Sequence, residues 1–441
     1  MSALPAGPTT SPAIQTARWL ARPIAFLEDC RRNYGDTFSV MFQGFKTPLV
    51  MVSSPEVIRA LYAERGHNLP PGRTVTLGPL VGARSLLLLE GTEHLSRRKV
   101  MLPPFHGDRM RAYEPVVLEA AERELGTWPS AVAFPVHPSM QAITLEVILR
   151  AVFGVSERGS LHDLLRDLLS ATVSTQLQVS VLFGRRKPLE RLQGMAEEID
   201  ALLLREIASR RRSPGGADIC SLFVAARFED GSVMGDREIR DQLMTLLLAG
   251  HETTATGLAW TLDLLTRNPD VLARAQSGDE DYLRAVVAES LRLRPVVPLA
   301  GRRLVTDLEA DGVSIPAGTD VTPAIWLAHT RPESYPDPYA FRPERFLDRP
   351  PSTYTWIPYG GGVRRCLGAA FAEMEMRVVL AAILRRFELR PVGRRAERVA
   401  RRNVTFSPRH GTRVIVRQRV TRNAKVPTTR SPAAVSRNSP R

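Results

Sequence analysis

The feature that most restricts this chain is one uninterrupted helical stretch. From Asp236 to Arg267 the sequence keeps helical periodicity without an internal proline, then stops at Asn268-Pro269. Such a helix is about 48 Å long at roughly 1.5 Å per residue. It crosses an entire domain, so it needs one large helical body around it. The flanking sequence agrees. Pro115 to Arg212 is dominated by Leu-rich helical faces and ends at the break Ser213-Pro214-Gly215-Gly216, and a further helix is predicted from Leu367 to Phe387. Pro23–Tyr34 also reads as a helix, and Ser53-Ser54-Pro55-Glu56 opens another with an N-cap and a first-turn proline. Strand-like segments are short, at Thr37–Phe42, Leu49–Val52, Leu304–Leu308 and Val321–Ile325. Residues 1–16 read as a flexible loop.

Composition narrows the classes of function. The 441 residues carry 60 basic and 46 acidic side chains, a formal charge of +14, with 44% apolar residues, which is a globular balance. Seven basic residues and no acidic one lie from Arg417 to the end, in Pro/Ser/Thr-rich sequence with little to bury. Residues 415–441 therefore read as a basic, disordered tail. Nucleic-acid binding needs basic surface on a folded module, and no such module is recognisable. Three widely spaced cysteines, Cys30, Cys220 and Cys366, form no CxxC pair, which argues against structural zinc and for a reducing compartment. No secretory signal starts the chain, and runs such as Leu86–Leu89 and Leu246–Ala249 fall far short of the ~20 residues that cross a bilayer. A cytoplasmic protein without a transmembrane anchor is expected.

The most specific local signal is Tyr359-Gly360-Gly361-Gly362-Val363-Arg364-Arg365-Cys366-Leu367-Gly368. At the start of a helix, Cys366 meets free N–H groups and the macrodipole, which favour a thiolate. Gly360, Gly362 and Gly368 let backbone approach a large flat ligand and let amides point at the sulfur. Arg364 is placed to meet an anionic edge of that ligand. A dinucleotide-binding reading fails, because no strand precedes the glycines and Arg365 stands where the last glycine belongs. The long helix contributes Ala249-Gly250-His251-Glu252-Thr253-Thr254. This is not a zinc-protease motif, since Ala255 replaces the second histidine. A small residue at Gly250 lets a cofactor plane lie against the helix, and a threonine bonded one turn back opens it locally for a ligand or water.

Together these segments resemble the haem-binding and oxygen-activation motifs of the cytochrome P450 superfamily of haem-thiolate monooxygenases. The resemblance covers about residues 20–412, with the motifs in the family's order. It implies a mainly α fold with a smaller β-rich lobe, a single large domain over residues 17–414, and haem b between the long helix and the cysteine loop. Cys366 is then the axial iron ligand. Thr253, with Thr254 second to it, orients dioxygen and its waters, while Glu252 relays protons. Glu289-Ser290-Leu291-Arg292 is similar to the family's ExxR, and Phe341-Arg342-Pro343-Glu344-Arg345-Phe346 to its second arginine motif. Glu289, Arg292 and Arg345 would form a structural lock behind the cysteine loop, because an unpaired buried carboxylate is costly. His94 and Arg98, one turn apart, resemble the groups that hold a haem propionate, as do Arg302 (Arg303 second to it) and Arg364. Tyr359 stands where the family usually has Phe.

The implied activity is insertion of one atom of O2 into an apolar substrate. No flavin or iron–sulfur module fits in the chain, so electrons from NAD(P)H would arrive through a separate ferredoxin and ferredoxin reductase. A basic patch of Arg97, Lys99 and Arg365 would dock an acidic carrier. The rivals are a haem-thiolate enzyme that uses peroxide or isomerises its substrate, and a haem-based sensor. The Glu252-Thr253 pair argues against the first. Residues 67–90 and 165–190 are expected to form access loops, whose Leu, Val and Phe content points to an apolar substrate and no further. The arginine-rich composition points to a bacterial source.

Overall fold

In the computed structural model, which describes residues 4–63, 78, 80–154, 160–172, 187–347, 352–402 and 404–419, the long stretch is one helix with both ends as read from the sequence, Asp236–Arg267. Ahead of it in the chain come α1 (Pro12–Ala21), α2 (Pro23–Tyr34), α3 (Pro55–Ala63), α4 (Gly91–Met101), α5 (Arg109–Leu125) and α6 (His137–Phe153). The long helix is α7, and α8 (Glu280–Leu293) and α9 (Ala369–Arg386) follow it. Local chemistry fixes several ends. Asp279 accepts from the N–H groups of Asp281 and Tyr282 to start α8, and Gly154, at φ 65°, closes α6 in the left-handed region.

Helix α7 is the axis of the main core. Leu243, Met244, Leu247, Leu258, Ala259 and Leu262 are buried along it, in one cluster with Val147 of α6, Leu291 of α8 and Val379 and Ile383 of α9. Its threonines tolerate burial by bonding back one turn, as Thr261 does to Gly257 O at 2.9 Å. Where α7 crosses α9, a Cβ on Gly257 would lie 3.1 Å from Met376 Cε, so a small residue sets that approach.

The β-rich lobe is small. Strand β1 (Thr37–Val40) pairs antiparallel with β2 (Leu49–Val52), β2 runs parallel to β4 (Asp320–Pro323), and β4 pairs with β3 (Arg302–Arg303). Beside this sheet, Trp19, Phe26, Phe38, Met51, Trp326 and Phe406 form a separate aromatic-rich core. A hairpin, β5 (Val399–Arg402) and β6 (Thr405–Pro408), packs on α7, with Trp260 Nε1 donating to Phe406 O at 2.8 Å.

Four expectations need correction. Residues 12–16 belong to α1, capped by Ser11, and buried Gln15 donates to Pro8 O and Thr10 O. Residues 415–418, read as tail, complete the strand Arg413–Gln418, which pairs with Phe387–Pro391 and buries Val414 and Val416. Leu304 follows β3 and begins the turn that leads to the strand Leu308–Ala310. Ile325 starts a short helix, Ile325–His329, instead of ending a strand. Of the expected access loops, residues 67–77 and 173–186 lie outside the described residues, as does the tail from residue 420. Among the described residues, no helix is long and apolar enough to cross a membrane.

Candidate active site

The cysteine loop folds as a tight coil around a 3-10 turn, Gly362–Arg364. Cys366 N–H donates to Tyr359 O at 2.9 Å and Arg365 N–H to Gly362 O at 3.1 Å. The glycine run has a cause visible only in three dimensions. A Cβ on Gly361 would lie 2.2 Å from the Tyr62 ring, and one on Gly362 would lie 2.6 Å from Tyr62 O. Gly360 and Gly362 also have φ of +65° and +62°, which favour glycine. The loop is thus moulded on the end of α3. Gly368 is different: a Cβ there would meet nothing within 4 Å.

Cys366 sits just ahead of α9, not within its first turn. It is exposed, yet burial is the main influence on its thiol and raises its pKa. A side chain both accessible and desolvated faces space enclosed by the protein. Gly368 N–H bonds to the sulfur, and with Arg98 and Arg365 it opposes that rise. The other cysteines are inert by comparison, buried with pKa pushed up to about 11 for Cys30 and about 12 for Cys220.

Helix α7 opens at one place. Residues on both sides are buried, but Ala249 is exposed and Leu248, Gly250, Glu252 and Thr253 are half-buried. Thr253 Oγ1 donates to Ala249 O at 2.7 Å at this window, whereas Thr254 is buried and donates to Gly250 O at 3.1 Å. Gly250 does not serve as expected. A Cβ there would meet Ile148 Cδ1 of α6 at 3.4 Å, so its open side faces a neighbouring helix, and Ala249 is the small residue at the window. Glu252 turns aside: its Oε2 accepts from Gln141 Nε2 at 2.6 Å, and burial raises its pKa.

Four cationic or titrating groups converge. His94 is buried on α4, and burial, then the charges of Arg364, Arg98 and Arg302, press its pKa down to about 4. Arg302 is buried and donates to Ala300 O and Gly301 O, while Arg364 donates to Leu89 O at 2.5 Å. Arg303, the second choice, is instead engaged by Asp320 at 2.8 and 3.0 Å. Among the described residues Tyr62 Oη is buried without a hydrogen-bond partner, close enough to feel the charge of Arg302, its pKa pushed up to about 12 by burial.

Glu289, Arg292 and Arg345 lie together. Arg292 grips Glu289 bidentately at 2.6 and 2.7 Å, both side chains fully buried. Arg345 Nε stands 3.5 Å from the same carboxylate, and Arg342 N–H donates to it at 2.9 Å. The tie to the cysteine loop runs through His329, whose Nε2 accepts from Ile357 N–H at 2.8 Å while Nδ1 lies 3.1 Å from Arg292 O. Trp356 continues it, donating to Ala288 O of α8 at 3.0 Å and packing edge-on against Tyr359.

These features suit a haem. Guanidinium groups crowded together fit a dianionic edge, the Tyr62 hydroxyl, buried without a hydrogen-bond partner among the described residues, offers one more donor there, and the Cys366 thiol is accessible although desolvated. The family model for cytochrome P450 matches residues 5–411. The chain belongs to the cytochrome P450 family. Putative cytochrome P450 135B1 of Mycobacterium tuberculosis and of Mycobacterium bovis is 42% identical over 434 residues, 94% of this chain and 91% of theirs. Putative cytochrome P450 138 of Mycobacterium tuberculosis is 36% identical over 445 residues, 95% of this chain and 99% of that one. Among solved structures, the haem domain of cytochrome P450DA matches the fold with a TM-score of 0.84 at 24% identity, over 95% of this chain and 98% of that one. Cyanobacterial CYP120A1, with retinoic acid bound, matches at 0.80 with 25% identity, over 94% of this chain and all of that one. Cytochromes P450 hold haem through a cysteine thiolate, and this P450 is accordingly a haem monooxygenase. The sequence motifs did not reveal Tyr62, Ala249's place at the window, or the Gln141 contact to Glu252. No local pattern marks them, since each depends on a partner distant in the chain.

Proposed function

We propose that Cys366 supplies the axial thiolate and that this P450 oxidises an apolar organic substrate, using NAD(P)H electrons delivered by a separate ferredoxin and its reductase. The observation that carries the reading is Cys366 itself, accessible yet desolvated, with Gly368 N–H on its sulfur. When bound, the haem supplies dioxygen activation and oxygen transfer. The protein's part is positional. His94, Arg98, Arg302 and Arg364 hold the propionates by charge-assisted hydrogen bonds; Gly360 and Gly362 keep the cysteine loop close, while Gly368 gives its N–H to the sulfur. Thr253 holds water at the window beside Ala249, and Glu252 exchanges protons next to it. Glu289, Arg292 and Arg345 touch no substrate and keep the loop in place.

The expected docking patch is narrower than its sequence suggests. Arg97 pairs with Glu238 at 2.8 Å and Lys99 with Glu229, whereas exposed Arg365 forms no salt bridge among the described residues, though its charge acts on Glu373 and Cys366. Carrier binding should therefore respond more to reversal at Arg365 than at Lys99, and fade with salt.

The test is the reduced carbon-monoxide spectrum of protein expressed with ample haem. A thiolate-type band in the wild type, lost in Cys366→Ala, supports the reading; a colourless wild type, or a band that survives the substitution, overturns it. A spectral-shift screen of apolar ligands then addresses the substrate, beginning with a retinoid because CYP120A1 holds retinoic acid. Turnover that needs NAD(P)H, O2 and carriers, and fails with peroxide alone, separates the monooxygenase from its peroxide-using rival.

A further inference from the structure

Glu252 is held by contacts that its neighbour Thr253 does not share. Its Oε2 accepts from Gln141 on α6; its Oε1 accepts from Thr256 Oγ1 at 3.4 Å and lies 3.6 Å from His137 Nε2. From Thr256 the polar contacts continue outward. Thr256 Oγ1 is 3.1 Å from His137 Nε2 and 3.4 Å from Ser407 Oγ. Ser407 Oγ is 3.0 Å from Thr405 Oγ1, which donates to Arg402 O at 2.9 Å. Thr256, Ser407, Thr405 and His137 are all buried, while Arg402 is half-buried and Val404 at the hairpin tip is exposed. A row of buried hydroxyls therefore runs from a carboxyl group to the accessible end of the β5–β6 hairpin.

Packing alone does not require these hydroxyls. The hairpin is already fixed to α7 by the Trp260 indole, and buried hydroxyls cost free energy unless they are paired. Their valences fit a directed chain. A threonine oxygen has two lone pairs and one proton. If His137 Nε2–H and a Ser407 proton fill the lone pairs of Thr256, its own proton points at Glu252. The network thereby assigns the His137 tautomer. Burial, followed by the charges of Arg402 and His251, keeps the pKa of His137 at about 3, so the ring stays neutral. The groups facing Glu252 are Gln141 and His137 from α6, Thr256 on its own helix, and the charge of Arg402 from β5.

We propose that Thr405, Ser407 and Thr256 form a proton relay from the β5–β6 hairpin to Glu252, with His137 as its positioning residue. The proposal deepens the reading of Glu252 as the proton-exchanging group of this P450 and rests on it. A hydronium ion at the hairpin gives a proton to Thr405 Oγ1 and becomes water; Thr405 turns its own proton from Arg402 O to Ser407, Ser407 passes one to Thr256, and Thr256 one to the carboxylate. Each hydroxyl gains one O–H bond and loses one, the carboxylate becomes a carboxylic acid, and no electron moves.

The test follows the Glu252 carboxyl band by infrared spectroscopy after a pH jump in haem-loaded protein, with Glu252→Gln identifying the band. Thr256→Val and Ser407→Ala are expected to slow its response roughly tenfold or more; Thr256→Val also raises the equilibrium midpoint, because it removes a hydrogen bond to the carboxylate, whereas Ser407→Ala leaves it in place. Thr256→Ser, which keeps the hydroxyl, should respond at the wild-type rate. Unchanged rates in Thr256→Val and Ser407→Ala overturn the relay. So does a shifted midpoint at unchanged rate, or a Thr256→Ser variant as slow as Thr256→Val. The carbon-monoxide spectrum of the same samples is read separately. Its absence from the wild type would overturn the haem reading, whereas an intact spectrum with unaltered rates would overturn the relay alone.

Discussion

At Gly361 a methyl group has no room, because its carbon would lie 2.2 Å from the Tyr62 ring. Gly361→Ala must displace the cysteine loop or the end of α3, at a cost of about 1–3 kcal/mol. The expected result is a lower urea midpoint and weaker haem retention. Combining it with Tyr62→Ala relieves the clash, so the two substitutions should be strongly non-additive. Tyr62→Phe isolates the hydroxyl, which is buried without a hydrogen-bond partner among the described residues and feels the charge of Arg302. Haem-free protein should gain about 1 kcal/mol, since a buried group with no partner is removed. Haem-loaded protein should release haem faster to a scavenger, because a propionate donor is lost. Equal effects in both forms would refute that second role. Cys366, Arg364 and the glycines were legible because they are neighbours in sequence. Tyr62, which explains why the loop needs so many glycines, lies some three hundred positions earlier and carries no mark of its own.

Among the elements, the lock shows what buried charge does for a fold. Arg292 is fully buried, grips Glu289 bidentately, and also donates to His329 O at 2.8 Å and Pro338 O at 2.7 Å. Arg292→Ala leaves a buried carboxylate with the long contact to Arg345 and one backbone N–H, so a loss of about 3–5 kcal/mol is expected in urea unfolding. Arg292→Lys keeps the charge but not the fork, and should recover only part of that loss. If the lock is structural, molecules that still fold will show an undiminished thiolate spectrum per haem. The elements themselves were legible to different degrees. Helix α7 was read to the residue because Asn268-Pro269 ends a strongly periodic stretch. Helix α1 was missed although Ser11-Pro12 is a good start, since its Pro/Ala/Thr-rich surroundings resemble loop. The strand Arg413–Gln418 hid behind basic composition, and pairing with Phe387–Pro391, not local propensity, gives Val414 and Val416 a side to bury.

At the scale of the whole molecule, the four buried histidines among the described residues govern the response to acid. Burial is the first cause in each, reinforced by arginines around His94, His137 and His329 and by the His162 ring near His251. Their pKa values fall to about 4 for His94 and His251 and about 3 for His137 and His329, from 6.5. Between those limits the unfolded chain binds protons that the folded protein refuses, so stability falls as pH falls. Each histidine contributes about 1.4 kcal/mol per pH unit across its window. Buried carboxyls act in the opposite sense. Glu252, Glu373 and Glu375 are raised above 4.5 and Asp263 above 3.8, all by burial first, so the folded protein keeps protons that the unfolded chain has released. Their contribution is present at low pH and is lost as pH rises. Above pH 4.5 the four carboxyls oppose the histidines wherever their ranges overlap, and below it, of these four, Asp263 alone still does. Urea midpoints taken at closely spaced pH values should fall more steeply between about pH 4.5 and about pH 4 than above pH 4.5. His251→Asn keeps a polar atom for Thr144, which now sits 3.0 Å from His251 Nδ1, and removes one titrating ring. Its slope in the steep region should be smaller by about 1.4 kcal/mol per pH unit. An unaltered slope would mean that His251 is already protonated in the folded protein, against everything its burial on α7 implies.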